Sequence, residues 1–211
     1  MNLYISGTLD VLDTQERSGD DVTLTFYIIT QNRHGAEVRT FTPGHYRSFT
    51  LIDFVPESLG ANLSAGDTAG LTLTFSEELL SEEYPFLGLA VVAIERDKSS
   101  GRDRRSARRA TEQRLEERLD TVFNRGEMPT ADDLWTITNE YRVRDRPFRD
   151  DDDVIGVSAR IYPDIGSALL HTPFPNENER YMALTATDTL RFNRGGAIWE
   201  FSFRLGKSRL L

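Results

Sequence analysis

The strongest constraint in this sequence is a rhythm of two. Leu3, Ile5, Gly7 and Leu9 alternate with polar neighbours, and residues 22–29 alternate again, with Thr23 and Thr25 on the polar side. A two-residue period puts successive side chains on opposite faces of a pleated strand, so such runs mark strands with one face buried. The polar side, Thr23 and Thr25 included, is expected to face out. Segments 49–52 and 71–75 continue the series, punctuated by Gly, Pro, Asn and Asp. Segment 87–94 breaks the rhythm by being almost wholly apolar, which predicts a central strand covered on both faces.

After Asp97 the composition changes. Residues 102–124 are rich in Arg, Ala, Glu and Leu, all good helix formers, and Leu115, Leu119, Val122 and Phe123 make an apolar stripe at helical spacing. Gly126 and Pro129 provide the stop. The arginine-dense start has little apolar character and is expected to be solvated or frayed, since cations oppose the dipole at a helix N-terminus. Residues 130–143 carry two patterns. Alternation over 136–143 favours a strand after a short helical turn at 131–134. The competing reading is a helix capped by Thr130, with Leu134, Ile137 and Tyr141 as its stripe. Further strands are expected at 154–161, 181–186 and 197–205, the last with Trp199, Phe201, Phe203 and Leu205 on one face, preceded by a Gly195-Gly196 hairpin turn. The predicted fold is all-β: a two-sheet antiparallel β-sandwich or jelly roll with one inserted arginine-rich α-helix. It forms a single domain over 1–211, with a helical insertion at 98–134.

Composition narrows the function classes. A formal net charge of −9 opposes sequence-independent binding of DNA or RNA, so no nucleic-acid partner is expected. With no cysteine, disulfides, thiolate nucleophiles and zinc–thiolate sites drop out. No apolar run approaches the roughly 20 residues that a transmembrane helix needs. The first residues lack the basic start and apolar stretch of a signal peptide, which makes the cytoplasm the default location, with signal-independent export or particle association as alternatives. The three histidines, His34, His45 and His171, stand in no metal-ligand spacing, and neither a nucleophile-elbow serine nor a phosphate-cradling glycine loop is present. A non-catalytic protein is expected, although a carboxylate pair for sugar hydrolysis needs only geometry.

The most unusual stretch is 143–156, where Asp145 is followed by the run Asp150, Asp151, Asp152 and Asp153. Consecutive aspartates repel one another and need solvent or a cation, and calcium takes six to eight oxygen ligands of this kind. Val143, Asp145, Asp152, Asp153, Val154, Ile155 and Gly156 resemble the third calcium loop of C-two domains, the calcium- and phospholipid-binding β-sandwich modules. Pro147 stands at that family's second aspartate position. Asp10, Asp13, Gly19, Asp20 and Asp21, just before the 22–29 strand, resemble the family's first calcium loop. The resemblance implies a calcium site at one end of the sandwich, formed by Asp145, Asp152 and Asp153 together with Asp13, Asp20 and Asp21, that engages an anionic membrane surface or a protein partner. Glu95 and Asp97 form a third acidic strand end, read most simply as solvated. Arg104, Arg105, Arg108 and Arg109 are candidates for binding an anion. The rival readings are a structural, self-associating protein such as a viral jelly-roll capsid component, and a lectin-like carbohydrate-binding sandwich.

Overall fold

The alternating segments become the strands of two antiparallel sheets. The computed structural model describes residues 2–14, 20–41, 62–76, 80–95, 101–142 and 153–209, and the strand expected at 49–52 lies outside them. In chain order the elements are β1 (Asn2–Asp13), β2 (Asp20–Asn32), β3 (Gly35–Phe41), β4 (Asn62–Leu63), β5 (Thr68–Ser76), β6 (Leu87–Glu95), α1 (Gly101–Phe123), α2 (Ala131–Thr138), β7 (Asp153–Tyr162), α3 (Ile165–His171), β8 (Tyr181–Ala183), β9 (Asp188–Arg194) and β10 (Ala197–Ser208). One sheet runs β5-β1-β10, with β8 and β9 pairing different lengths of β10. The other runs β3-β2-β6-β7, with β4 on the first residues of β2.

Between the sheets lies the main core. Leu3, Ile5, Leu9 and Val11 of β1 and Trp199, Phe201, Phe203 and Leu205 of β10 meet Leu24, Phe26, Ile28, Leu89 and Val91 of the opposite sheet. The Phe26 and Phe201 rings meet edge to face at 5.6 Å, a favoured aromatic geometry. Gly7 interrupts the apolar file of β1 because Phe203 sits directly opposite it, and a Cβ there would fall 2.6 Å from that side chain's own Cβ.

A second core lies on the far side of the β3-β2-β6-β7 sheet. There Tyr27, Ile29, Ala90, Val92, Ile94, Val157 and Ala159 pack against Ala107, Leu115 and Leu119 of α1 and Leu134, Ile137 and Tyr141 in and just after α2. The protein is therefore an all-β sandwich with a helical third layer. β6 is buried along its whole length, as its unbroken apolar run predicts.

That third layer corrects several expectations. Thr23 and Thr25 do not face solvent: they are 7% and 1% exposed. No strand forms over 136–142, the described part of the strand expected at 136–143. Thr130 caps α2 through a reciprocal capping box with Asp133, and Leu134, Ile137 and Thr138 form the buried stripe. The capping box closes the first turn, and the helical stripe has a core to enter, so helix wins over alternation. The Thr130 amide and hydroxyl contacts also leave an electrostatic trace, because those hydrogen bonds hold the Asp133 carboxyl below its ordinary value. α1 is helical from Gly101 onward rather than frayed, with Ala107 already buried. The strand expected at 181–186 shortens to β8, and β3, β4, β9 and α3 are additions.

Candidate functional site

The sandwich brings widely separated acidic positions to one end. Asp153 opens β7 and sits across from Glu95, the last residue of β6, which in turn faces Val22 of β2. Asp20 and Asp21 are the two residues before Val22. In the other sheet, Asp13 closes β1 opposite Ile198, which pairs with Asn193 of β9. The two sheets meet at this end: the Arg194 guanidinium donates to the Val154 carbonyl at 3.4 Å. Asp13 and Asp153 are both exposed. The Asp13 carboxylate accepts from the Thr14 amide at 2.9 Å. Asp145 and Asp152 lie outside the described residues, as does Asp97. Glu95 is not a solvated strand end: it is 3% exposed, because central strand β6 stays covered to its last residue.

Calcium would need more carboxylates than these. Among the described residues, no three of His, Asp and Glu converge in a metal-holding arrangement. A calcium site here would have to draw ligands from 145–152.

The arginine-rich start of α1 points to the same end. Asp120 of α1 bonds Ala36 and Glu112 bonds Thr40, so the helix lies along β3, with β2 next to it. Thr40 is level with Tyr27, five residues from Val22 along β2. Five strand residues span roughly 17 Å, which about eleven helical residues match at roughly 1.5 Å each. Counting back from Glu112 therefore carries α1 to its start near the level of Glu95 and Asp153. Of the predicted anion-binding residues, the helix separates two pairs. Arg105 and Arg109 are exposed, on a face shared with Arg102, while Arg104 and Arg108 are half-buried. Arg108 is close enough to act on the buried Tyr27 hydroxyl, whose pKa is raised well above normal, mainly by burial.

Two polar clusters at other places have no counterpart in the sequence reading. Arg160 of β7 grips Asp188 of β9 with Nε at 3.1 and 3.0 Å from the two carboxylate oxygens, and Tyr162 donates to the same carboxylate at 3.1 Å. Burial and then the Asp188 charge push the Tyr162 hydroxyl far above its ordinary pKa. This clasp ties the two sheets together along one side. At the far end, Lys207 continues the inward-facing file of β10 beyond Leu205. It donates to the carbonyls of Leu169 (3.2 Å) and Thr172, with the Phe174 ring 4.9 Å away. It thus caps the C-terminus of α3, where a cation complements the carbonyls. Burial and the nearby Arg209 lower its pKa. Lys207 carried a legible signal, an inward register position. Asp188 carried none, because its partners come from a distant strand.

The architecture defines the class: an antiparallel β-sandwich with a helical layer on one sheet. Beyond that class, the chain matches no family model, no curated protein and no solved structure. Among the described residues no helix is long and apolar enough to cross a membrane.

Proposed function

We propose that this protein is a non-catalytic binding module that engages its ligand at the acidic end of the sandwich. Calcium would be held there by Asp13, Asp20, Asp21 and Asp153 together with Asp145 and Asp152, and would bridge to an anionic lipid surface or a protein carboxylate. The observation that carries this reading is topological: Asp13, Asp20, Asp21 and Asp153 sit at strand ends that meet at one end of the fold. The resemblance of 143–156 to a C-two calcium loop supports the choice of calcium, as does the purely oxygen donor set. Arg105 and Arg109 would add direct contacts to the same anionic ligand.

Thermal unfolding with chelator, with calcium and with magnesium tests the proposal. A ligand that binds only the folded state adds RT ln(1 + [L]/Kd), about 2.7 kcal/mol at a hundredfold excess. A calcium-selective rise that disappears in the Asp13→Asn/Asp153→Asn chain is the expected result. No rise at millimolar calcium would remove the metal from the proposal.

The self-associating reading is favoured by a separate observation: Met128 and Trp135, in and just before α2, are 52% and 45% exposed. Apolar side chains that large are common at subunit contacts. Light scattering distinguishes the two, because a monomer over a wide concentration range rules out obligate assembly.

A further inference from the structure

β3 is an edge strand whose exposed side is closed by side chains of a helix instead of by another strand. It pairs only with β2 among the described residues, at Ala36, Val38 and Thr40 opposite Gln31, Ile29 and Tyr27. On its other side, Asp120 Oδ1 accepts from the Ala36 amide at 2.6 Å, Glu116 accepts from the Val38 amide, and Glu112 accepts from the Thr40 hydroxyl. The three carboxylates stand at i, i+4 and i+8 on α1. Their spacing of roughly 6 Å per helical turn step matches the roughly 6.6 Å between alternate residues of a strand. At Asp120 and Glu116 the helix thereby imitates the acceptor row of a neighbouring strand, while Glu112 holds the Thr40 side chain. Gly35 makes room for it: its φ is +126°, and a Cβ there would fall 2.1 Å from Asp120 Oδ1.

The ladder carries an electrostatic burden. Burial raises the Glu116 pKa, and the charges of Glu112, Asp120 and Glu37 raise it further, against the lowering effect of the Val38 hydrogen bond. An alternative occupant of this edge is written into β3 itself. About a two-fold axis at Val38, β3 is complementary to a second β3. Val38 then faces Val38, Ala36 faces Thr40, and Glu37 of one copy stands directly opposite Arg39 of the other. Oppositely charged residues directly across an antiparallel pair are stabilising. In the single chain Glu37 and Arg39 instead pair with each other at 2.7 Å. An open, self-complementary edge is a template for dimerisation unless something covers it.

We infer that α1 holds β3 back from pairing with β3 of a second copy, and that Asp120, Glu116 and Glu112 are the hold. Removing the carboxylates leaves the Ala36 and Val38 donors without acceptors, and a second β3 supplies acceptors in register. The acceptor row of α1 and the β3 of a second copy are competing occupants of one edge.

The test is solution mass against concentration for the full chain carrying Asp120→Ala, Glu116→Ala and Glu112→Ala. The expected result is dimerisation at least tenfold tighter than in the parent. Adding Glu37→Arg, which opposes like charges across the axis, should abolish that gain, and adding Arg39→Glu as well should restore it. The matching Asn and Gln substitutions keep acceptor oxygens and should leave the parent's mass unchanged. Should the triple variant fail to fold, Asp120→Ala alone is read with the same charge swap. Association that ignores the swap, or a folded alanine variant with the parent's mass, would overturn the inference and leave the ladder a plain hydrogen-bond cap.

Discussion

The two outer faces of this sandwich have similar alternating strands but opposite surroundings. On the β5-β1-β10 sheet the outward residues Ser6, Asp10, Glu200 and Ser202 find polar partners on neighbouring strands. Ser6 bonds Thr72 and Thr189 bonds Ser202, each at 3.0 Å, Thr68 donates to Asp10 at 2.8 Å, and Arg191 pairs with Glu200 at 3.4 Å. On the β3-β2-β6-β7 sheet the outward file includes Tyr27, Ile29, Ala90, Val92 and Val157, and α1 and α2 cover it. The difference shows that threonines at alternate positions do not report exposure. Thr23 and Thr25 belong to a covered face, and what marks that face is the apolar partner strand β6.

Substitutions on the two sides should separate them by size of effect. The largest loss is expected for Phe201→Ala in the inter-sheet core, about 3–5 kcal/mol of unfolding free energy by urea titration. Leu119→Ala, in the helix-facing core, should cost about 2–5 kcal/mol. A loss below about 1 kcal/mol there would mean that the helices sit loosely on a self-sufficient sandwich, the opposite of what two continuous cores imply. Thr130→Ala removes the α2 cap and should cost about 1 kcal/mol. Ser202→Ala, on the polar face, should stay within about 0.5 kcal/mol of the parent; a larger loss would show that the open face is not the forgiving one.

Two carboxylates of the helical layer sharpen the contrast through pH, with opposite signs. The Asp133 pKa is lowered in the fold, so its contribution is present above the unfolded-state value and is lost as pH falls through the folded one. The stability deficit of Asp133→Asn should therefore be greatest near neutrality and close in acid. The Glu116 pKa is raised, so the fold gains from its protonation and loses that gain as pH rises through the folded value. Glu116→Gln, which keeps an acceptor for the Val38 amide, should gain on the parent as pH rises through the carboxylate range. Paired denaturation series across that range read both.

Much of the fold was legible in local pattern. The strands β1, β2, β5, β6, β7 and β10 follow from two-residue periods or an unbroken apolar run, and α1 follows from its stripe. β9 was also within reach, since Leu190 and Phe192 alternate into the core before the Gly195-Gly196 turn. The helix α2 displaces the expected strand because 130–143 carries both patterns, and the Thr130 capping box together with contact with β6 and β7 decides between them. The candidate site was legible as residues and illegible as a place: Asp13 and Asp153 each mark a strand end, but their shared end depends on how the sheets stack.

The sequence by itself determined most of the strands and α1, the apolar file of β10, and that β6 would be covered twice, because periodicity is a property of neighbours along the chain. Tertiary structure alone decided that Thr23 and Thr25 are buried, that Asp188 clasps Arg160, and that three α1 carboxylates close the β3 edge. Those outcomes depend on groups that meet only after the sheets and helices have packed, and a hydrogen bond or a covering side chain has no trace in the local pattern of either partner.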